Sequence, residues 1–477
     1  MATAGAGPGD GREKGEKMSS TRWLAGAVAV GVTLLTGIVP GISAQEAATG
    51  TLTAEPVAGA ATPESPGSPP LSYDGLRVER DGVPVPYGVW SQWAPLLVAT
   101  PDGGAWAFFT AETGDVAGPG RLRLHAARYD PGRAGWLPAR AMPGGEVQFG
   151  PAAAVDRAGA VHLVYADRGR NAADAFATLV YSRSDGAGGW TPPVPVSPDP
   201  NAGHQMMPSL AVDGDDRLHL LWRDQRTLPA DRRAASAANA DVLASDLIDG
   251  AWSAPVPVND RPEPDLNAAW PHLVVDGDRL VAAWSIYKGV TPAELEKPAV
   301  RVEWSSRPVG GGSWATPTPV VQREDGEIGG LLLDLAADPR GGTVLVYGRS
   351  FRTGDEPTVD LFLRRLPAGA GRWEADTPLL SGDLGYFPTL AVGRDGTLFV
   401  AFNHGRNRAV EVGAIALGPD AARPGPLQIP TTGEEGEHGR ASLALGADGR
   451  PWVVYMHGAA DSRTIELRSS RSLELPR

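Results

Sequence analysis

The feature that most restricts this 477-residue chain is a unit that returns seven times. Its clearest copies are MPSLAVDGDDRLHLLWRDQR (207–226), WPHLVVDGDRLVAAWSIYKG (270–289) and FPTLAVGRDGTLFVAFNHGR (387–406). Four more begin at WAPLLVATPDGG (93–104), GPAAAVDRAGAVHLVYADRGR (150–170), LLLDLAADPRGGTVLVYGRS (331–350) and RASLALGADGRPWVVYMHG (440–458). Alignment puts Pro95, Pro151, Pro208, Pro271, Leu331, Pro388 and Ala441 at one position, 53 to 63 residues apart. Each unit reads as a short apolar strand, a Gly/Asp turn and a strand ending in an aromatic. A polar loop, a third strand, a turn that usually bears Trp and a fourth strand follow. A single four-stranded sheet has two faces to hide, and stacking copies radially hides both. The pattern therefore predicts an all-β fold, a seven-bladed β-propeller of four-stranded antiparallel blades, with six blades as the alternative.

Composition agrees with this and narrows the functions. The 61 Gly and 44 Pro suit many short strands and turns. With 43 Lys+Arg against 56 Asp+Glu the net charge is −13, which argues against a nucleic-acid surface. The absence of cysteine excludes disulfides, thiolate metal sites and cysteine nucleophiles. Asp213-Gly214, Asp276-Gly277, Asp395-Gly396 and Asp448-Gly449 are read as tight hairpin turns, not calcium loops, because Ca²⁺ needs six or more converging oxygens. Trp136, Trp190, Trp252, Trp314 and Trp373, each before a fourth strand, are expected to wedge between neighbouring blades.

The amino terminus reads as an address. Arg12, Lys14, Lys17 and Arg22 precede an uncharged run, Trp23–Ile42, which ends in Ser43-Ala44. Residues 1–44 are thus expected to be an export signal, or failing cleavage a membrane anchor, with the protein outside the cytoplasm. Residues 45–70, rich in Ala, Thr, Pro and Gly, read as a linker. The propeller should then run over 71–477. The seventh copy runs out of chain after 472–476, so 71–90, outside the repeats, is expected to supply its missing outer strand.

The repeat resembles the sialidase superfamily, including its exported BNR/Asp-box proteins. The resemblance rests on a P-x-L-x-V first strand, a G-x-L second strand ending in Trp, and YSRSDGAGGWTPPVPV (181–196), where Asp185 precedes Trp190 by five residues. It covers about 90–477 and implies the propeller fold. In that family the Asp-box is a structural turn away from the active site. Family sialidases hold a substrate carboxylate with three arginines and use Tyr, Glu and Asp in catalysis. Here the positions of the family's first-strand Arg hold Trp93, Phe149, Met206, Ala269 and Tyr386.

Strand order names a candidate face. First strands begin, and second strands end, at one end of the ring, where residues from several blades meet in an axial funnel. First-strand starts carry Trp93, His204, Trp270, Tyr386 and Arg440; second-strand ends carry Asp167, Asp224, Arg226, Arg349 and His404. The expected ligand contacts are Arg226, Arg349, Arg440, Trp93, Trp270, His204 and His404. If the resemblance extends to chemistry, Asp167 or Asp224 serves as acid/base and Tyr386 as nucleophile. No metal or cofactor is expected, the histidines (His204, His404, His438, His457) being scattered over several copies. The leading expectation is a monomeric exported protein that binds a glycan or envelope polymer at the funnel without catalysis. A glycoside hydrolase and a protein-interaction scaffold are the alternatives.

Overall fold

The structure, a computed structural model, describes residues 74–470 apart from 81–82, 86, 90–93, 114–121, 170–175, 187, 200–201, 228–239, 260–265, 289–300, 323–331, 354–355, 382–384, 406–410, 420, 422, 432–436 and 459–464. The expected signal and linker, Trp93 and most of the loops 223–241 and 287–299 lie outside the described residues. All regular structure among the described residues is extended. It forms seven antiparallel blades, so seven, not six, is the blade number.

The innermost strands are Leu96–Ala99, Val147–Val155, Gln205–Val212, Leu266–Asp276, Leu333–Ala337, Gly385–Val392 and Glu437–Leu445. Each packs on the next, and the seventh packs on the first, which closes the ring. Seven hydrophobic clusters fill the seven gaps between neighbouring blades. This explains the sequence of the second strands. Leu218–Asp224 is buried at every position, because a sheet covered on both faces has no solvent side and needs no apolar–polar alternation.

The Trp-bearing turns key the blades together. Trp190 of blade 2 lies edge-on to Trp106 and Phe108 of blade 1, at 5.2 and 5.7 Å. Trp252 meets Tyr181 of blade 2, and Trp373 meets Trp304 of blade 4. Trp136 stacks on Trp452 of blade 7 and donates its indole N–H to Ser469 Oγ (2.8 Å). At the 185–189 turn, Asp185 accepts the Gly189 N–H (2.8 Å) and closes the loop before Trp190.

Closure uses the segment before the repeats, in two places. Asp74–Gly75 pairs with Ser469 and Arg468 and is the outer strand of blade 7. Tyr87–Val89 instead joins blade 1, continuing the line of Leu96–Ala99 along Ala105–Thr113. Between them Leu76 and Val78 sink into the gap between blades 7 and 1. Blade 6 holds its fourth position with the single bridge Ala414–Gln428.

Two details differ from expectation. In blade 5 the residue equivalent to the repeated proline is Leu333, not Leu331. Five residues separate Ala337 from Thr343, as five separate Val212 from Leu218, which places Asp334 level with Ser209. The offset arises because blade 5 lacks the proline that marks the strand start in its neighbours. In blade 3 the left-handed turn residue is Asp216 (φ 60°), not Gly214, whereas Gly277, Gly396 and Gly449 take positive φ as expected.

Candidate functional site

The site is built by a recurring irregularity. Five innermost strands bulge at the same point, between Phe149 and Ala152, Met206 and Ser209, Ala269 and His272, Tyr386 and Thr389, and Gly439 and Ser442. The residue that takes up the extra length is left-handed in each: Gly150, Met207, Trp270, Phe387 and Arg440, with φ between 51° and 59°. Only one is glycine. The other four hold a conformation that costs a non-glycine residue roughly 1–3 kcal/mol, sustained by the surrounding ring. A bulge re-aims side chains, and Trp270, Phe387 and Arg440 all border one cavity of about 310 Å³.

This cavity lies on the ring axis, walled by innermost-strand residues of six blades. One layer beyond the bulge residues stand His272, Asp334, Thr389 and Ser442. The same layer fastens the blades. Ser209 Oγ accepts the Leu273 N–H, Ser442 Oγ the Leu97 N–H, and Asp334 Oδ2 the Leu390 N–H (2.9, 3.0 and 2.7 Å). Asp334 also accepts the Leu335 N–H (2.8 Å) and faces His272 Nδ1 at 3.0 Å. Blades 4, 5 and 6 therefore converge on one carboxylate.

Arg440 is the other charged group of the wall. Its guanidinium lies over the Phe387 ring, 3.6 Å from the centroid, and its backbone N–H is donated to Asn403 Oδ1 (2.7 Å). Among the described residues no carboxylate pairs with the guanidinium. Burial alone pulls its pKa down to about 10. The result is a half-buried cation stacked on an aromatic face, with no carboxylate paired to it among the described residues.

Of the residues expected at the funnel, the structure brings Trp270 and Arg440 together at this cavity. The others occupy different surroundings. Asp224 is fully buried and accepts the Trp222 indole N–H (2.7 Å), the Arg226 backbone N–H (2.7 Å) and the Arg226 side chain. Arg226 also donates to Ser197 Oγ (3.0 Å). Asp167 is buried and takes the Gly145 N–H on both oxygens. Arg349 lies beside the rings of Tyr347 and Phe362 and 3.9 Å from Asp376, a carboxylate already held by Tyr347 and Arg364. Tyr386 pairs in register with Asn403, immediately before the blade 6 bulge. His204 accepts the Ala177 N–H (3.2 Å) and meets Phe176 edge-on; burial, helped by Arg168 and Arg223, pulls its pKa down to about 4. His404 stands 4.0 Å from Glu411. His438 and His457 share a 2.9 Å contact between ring nitrogens.

His272 and Asp334 were not among the expected residues. Their signal is the x of P-x-L-x-V, where the other copies place Leu96, Ala152, Ser209, Thr389 and Ser442 and these two place ionisable groups. An ionisable group at a repeat position that elsewhere carries only uncharged residues is the clue.

No protein-family model matches the sequence, and neither does any curated protein. Solved structures do match in shape. An ulvan lyase, presented as a new family of polysaccharide lyase, aligns with 83% of this chain and 95% of its own, at TM-score 0.53 and 11% identity. Another polysaccharide lyase aligns with 84% and 97%, at TM-score 0.53 and 13% identity. A fungal alcohol oxidase of the AA5 family, in complex with copper, aligns with 81% and 75%, at TM-score 0.50 and 14% identity. At such identities the likeness is one of fold, and one fold here serves two lyases and an oxidase.

Proposed function

We propose that this chain is an exported propeller, sialidase-like in its scaffold, that binds a negatively charged glycan in its axial cavity without the hydrolysis of a glycosidase. The observation that carries this reading is the Arg440 guanidinium, stacked on Phe387 with no protein counter-ion among the described residues. A planar fork of N–H donors suits a carboxylate, which it can grip with two parallel bonds. Trp270 and Phe387 offer flat apolar walls, and Thr389 and Ser442 offer hydroxyls, the mixture a sugar ring needs. The cavity is at the small end of ligand sites, which start at roughly 300 Å³, so it suits one terminal sugar unit better than a crossing chain. Two of the shape-related structures are named as polysaccharide lyases, which adds weight to a carbohydrate role.

Hydrolysis of a glycoside ordinarily takes two carboxylates flanking the scissile bond. Asp334 is the single carboxylate among the described cavity residues, and Asp167 and Asp224 are engaged elsewhere. Export by residues 1–44 belongs to the same proposal, and the mass of the secreted chain would test cleavage after Ala44. For the ligand, calorimetry or an array comparing acidic with neutral oligosaccharides is decisive. Arg440→Gln is expected to weaken binding of the acidic ones by about tenfold or more, the worth of a charge-assisted bond. Equal binding of neutral sugars, or an Arg440→Gln variant that binds as well as the parent, would sink the reading.

A further inference from the structure

We propose that His438 and His457 form an acid-sensitive latch on the strand start that precedes Arg440. The two rings hold Glu437–Gly439 against the second strand of blade 7 while they share one proton. They let it go when both are protonated, which draws Arg440 away from the axial cavity. The latch stands on the geometry of the protein alone, and its effect on a ligand rests on the reading that Arg440 grips an acidic glycan.

The two histidines stand directly opposite one another on the first and second strands of blade 7. Both are 3% exposed, their ring centroids lie 4.9 Å apart, and His457 Nδ1 is 2.9 Å from His438 Nε2. At that distance one nitrogen donates and the other accepts, so the facing pair holds a single proton. The contact survives with the pair neutral or carrying one positive charge. A second charge makes both facing nitrogens donors and sets two buried cations side by side, which repulsion and lost hydration both oppose.

What the latch holds is the short piece of strand before the bulge. Glu437, His438 and Gly439 pair with Gly458, His457 and Met456, and the ladder resumes only at Ser442. Between them Arg440 is left-handed (φ 51°), a conformation that a non-glycine residue keeps only under constraint. Its N–H is held by Asn403 Oδ1, and a Cβ at Gly439 would stand 3.2 Å from Asn403 Nδ2, so the strand start also lies close against blade 6. Parting of the rings lets the backbone leave the left-handed region, and that relief favours the open form. The guanidinium then moves with its backbone off the Phe387 ring.

Other ionisable groups surround the pair. Its own strand carries Glu437 and Arg440; His457 lies opposite Glu466, and Tyr455, whose ring is 5.8 Å from that of His438, lies opposite Arg468. The blade 6 strands packed on this one carry Tyr386, His404 and Glu411, whereas Leu96–Ala99 of blade 1 carries no ionisable side chain. Among these residue types histidine is the one that ordinarily changes charge between about pH 5 and 8, so His404 is the competing origin of an acid response.

Amide hydrogen exchange of the full chain, read by mass spectrometry at about pH 7.5 and about pH 5 and corrected for the intrinsic rate, tests the latch. Protection of the peptide spanning Glu437–Leu445 is expected to fall by about tenfold for each pH unit below the point where the second proton binds. The peptide spanning Gln205–Val212 should lose less. His438→Gln and His457→Asn each keep a donor and an acceptor near the position of the facing nitrogen but cannot take up charge, so each should flatten the response. His404→Gln and His204→Gln should leave it in place. Equal protection at both pH values, an equal loss in the two peptides, or a response that persists in both His438→Gln and His457→Asn would overturn the latch. With glucuronate as the probe in calorimetry, binding by the parent should weaken several-fold more than binding by these two variants between the same pH values. Equal weakening would overturn the withdrawal of Arg440. Glucuronate that binds at neither pH would count against the acidic-glycan reading, and the exchange result would still decide the latch.

Discussion

Arg440 and Phe387 sit on neighbouring blades at the same bulge position, both left-handed (φ 51° and 52°), with the guanidinium carbon 3.6 Å above the ring centroid. Two strained backbones thus present a stacked cation–aromatic pair to the axis. Strain and an uncompensated charge at one residue are costs to folding that a ligand can recover.

Arg440→Gly should therefore stabilise the empty protein. It relieves the left-handed strain, worth roughly 1–3 kcal/mol, and removes a half-buried charge, against a lost cation–π contact of about 0.5–2 kcal/mol. A net gain of about 1 kcal/mol is expected in urea unfolding, together with loss of acidic-glycan binding. A destabilised Arg440→Gly protein would show that the arginine serves the fold.

Ring closure should depend on a few residues ahead of the repeats. Leu76 and Val78 are buried against Trp452 and Val454 of blade 7 as well as blade 1. Leu76→Ala is expected to cost about 2–5 kcal/mol, as for other buried leucines. Deleting 71–90 should lower the melting temperature far more than deleting 45–70. Equal melting temperatures would contradict closure by this segment.

The indole wedges should be worth more than a surface aromatic. Trp190 packs edge-on against Trp106 and Phe108 across the gap between blades 1 and 2. Trp190→Ala should cost about 3 kcal/mol, the low end for such truncations because the residue is only partly buried. Trp190→Phe should recover part of that, as read by chemical denaturation.

Acid should weaken the fold in two phases. Folded His204 resists protonation down to about 4, while an unfolded histidine takes a proton near 6.5. Between these values the unfolded state binds more protons, so stability falls as pH falls, by up to about 3 kcal/mol. Burial lowers His162 too, in the same direction. Asp213, Asp246 and Asp376 lie below 3.8, held charged by hydrogen bonds and neighbouring cations despite burial. Their contribution is complete above 3.8 and is lost only as pH falls through their lowered values. His204→Gln, which keeps an acceptor for the Ala177 N–H, should flatten the first phase and leave the second. Denaturation midpoints at neutral pH and near pH 4 measure this.

Much of the architecture was legible in the chain. Repeated P-x-L-x-V and Asp-Gly segments fix four strands per copy, and Trp136 through Trp373 mark the interblade wedges, because these patterns express local turn geometry and burial. The structure takes the closing strand of blade 7 from the segment ahead of the first copy. Less legible was how that segment divides, since Asp74–Gly75 and Tyr87–Val89 serve opposite sides of one seam.

The candidate site was legible only in part. Trp270 and Arg440 stood out as large or charged residues at strand starts, and they do meet at the axis. Asp224, Arg226 and Arg349 stood out equally, but their partners (Trp222, Ser197, Tyr347 and Asp376) could not be read from strand order. His272 and Asp334 are 62 residues apart in sequence and 3.0 Å apart in space.

From its own residues the chain determined the repeat, its strand order and the end of the ring where strand starts gather, because periodicity and turns are properties of neighbours in sequence; the choice of seven blades over six came from the structure. The tertiary structure decided which ionisable side chains share a cavity and which neutralise one another. Closing seven sheets into a ring sets distances between residues that no spacing along the chain encodes, and charge pairing depends on those distances.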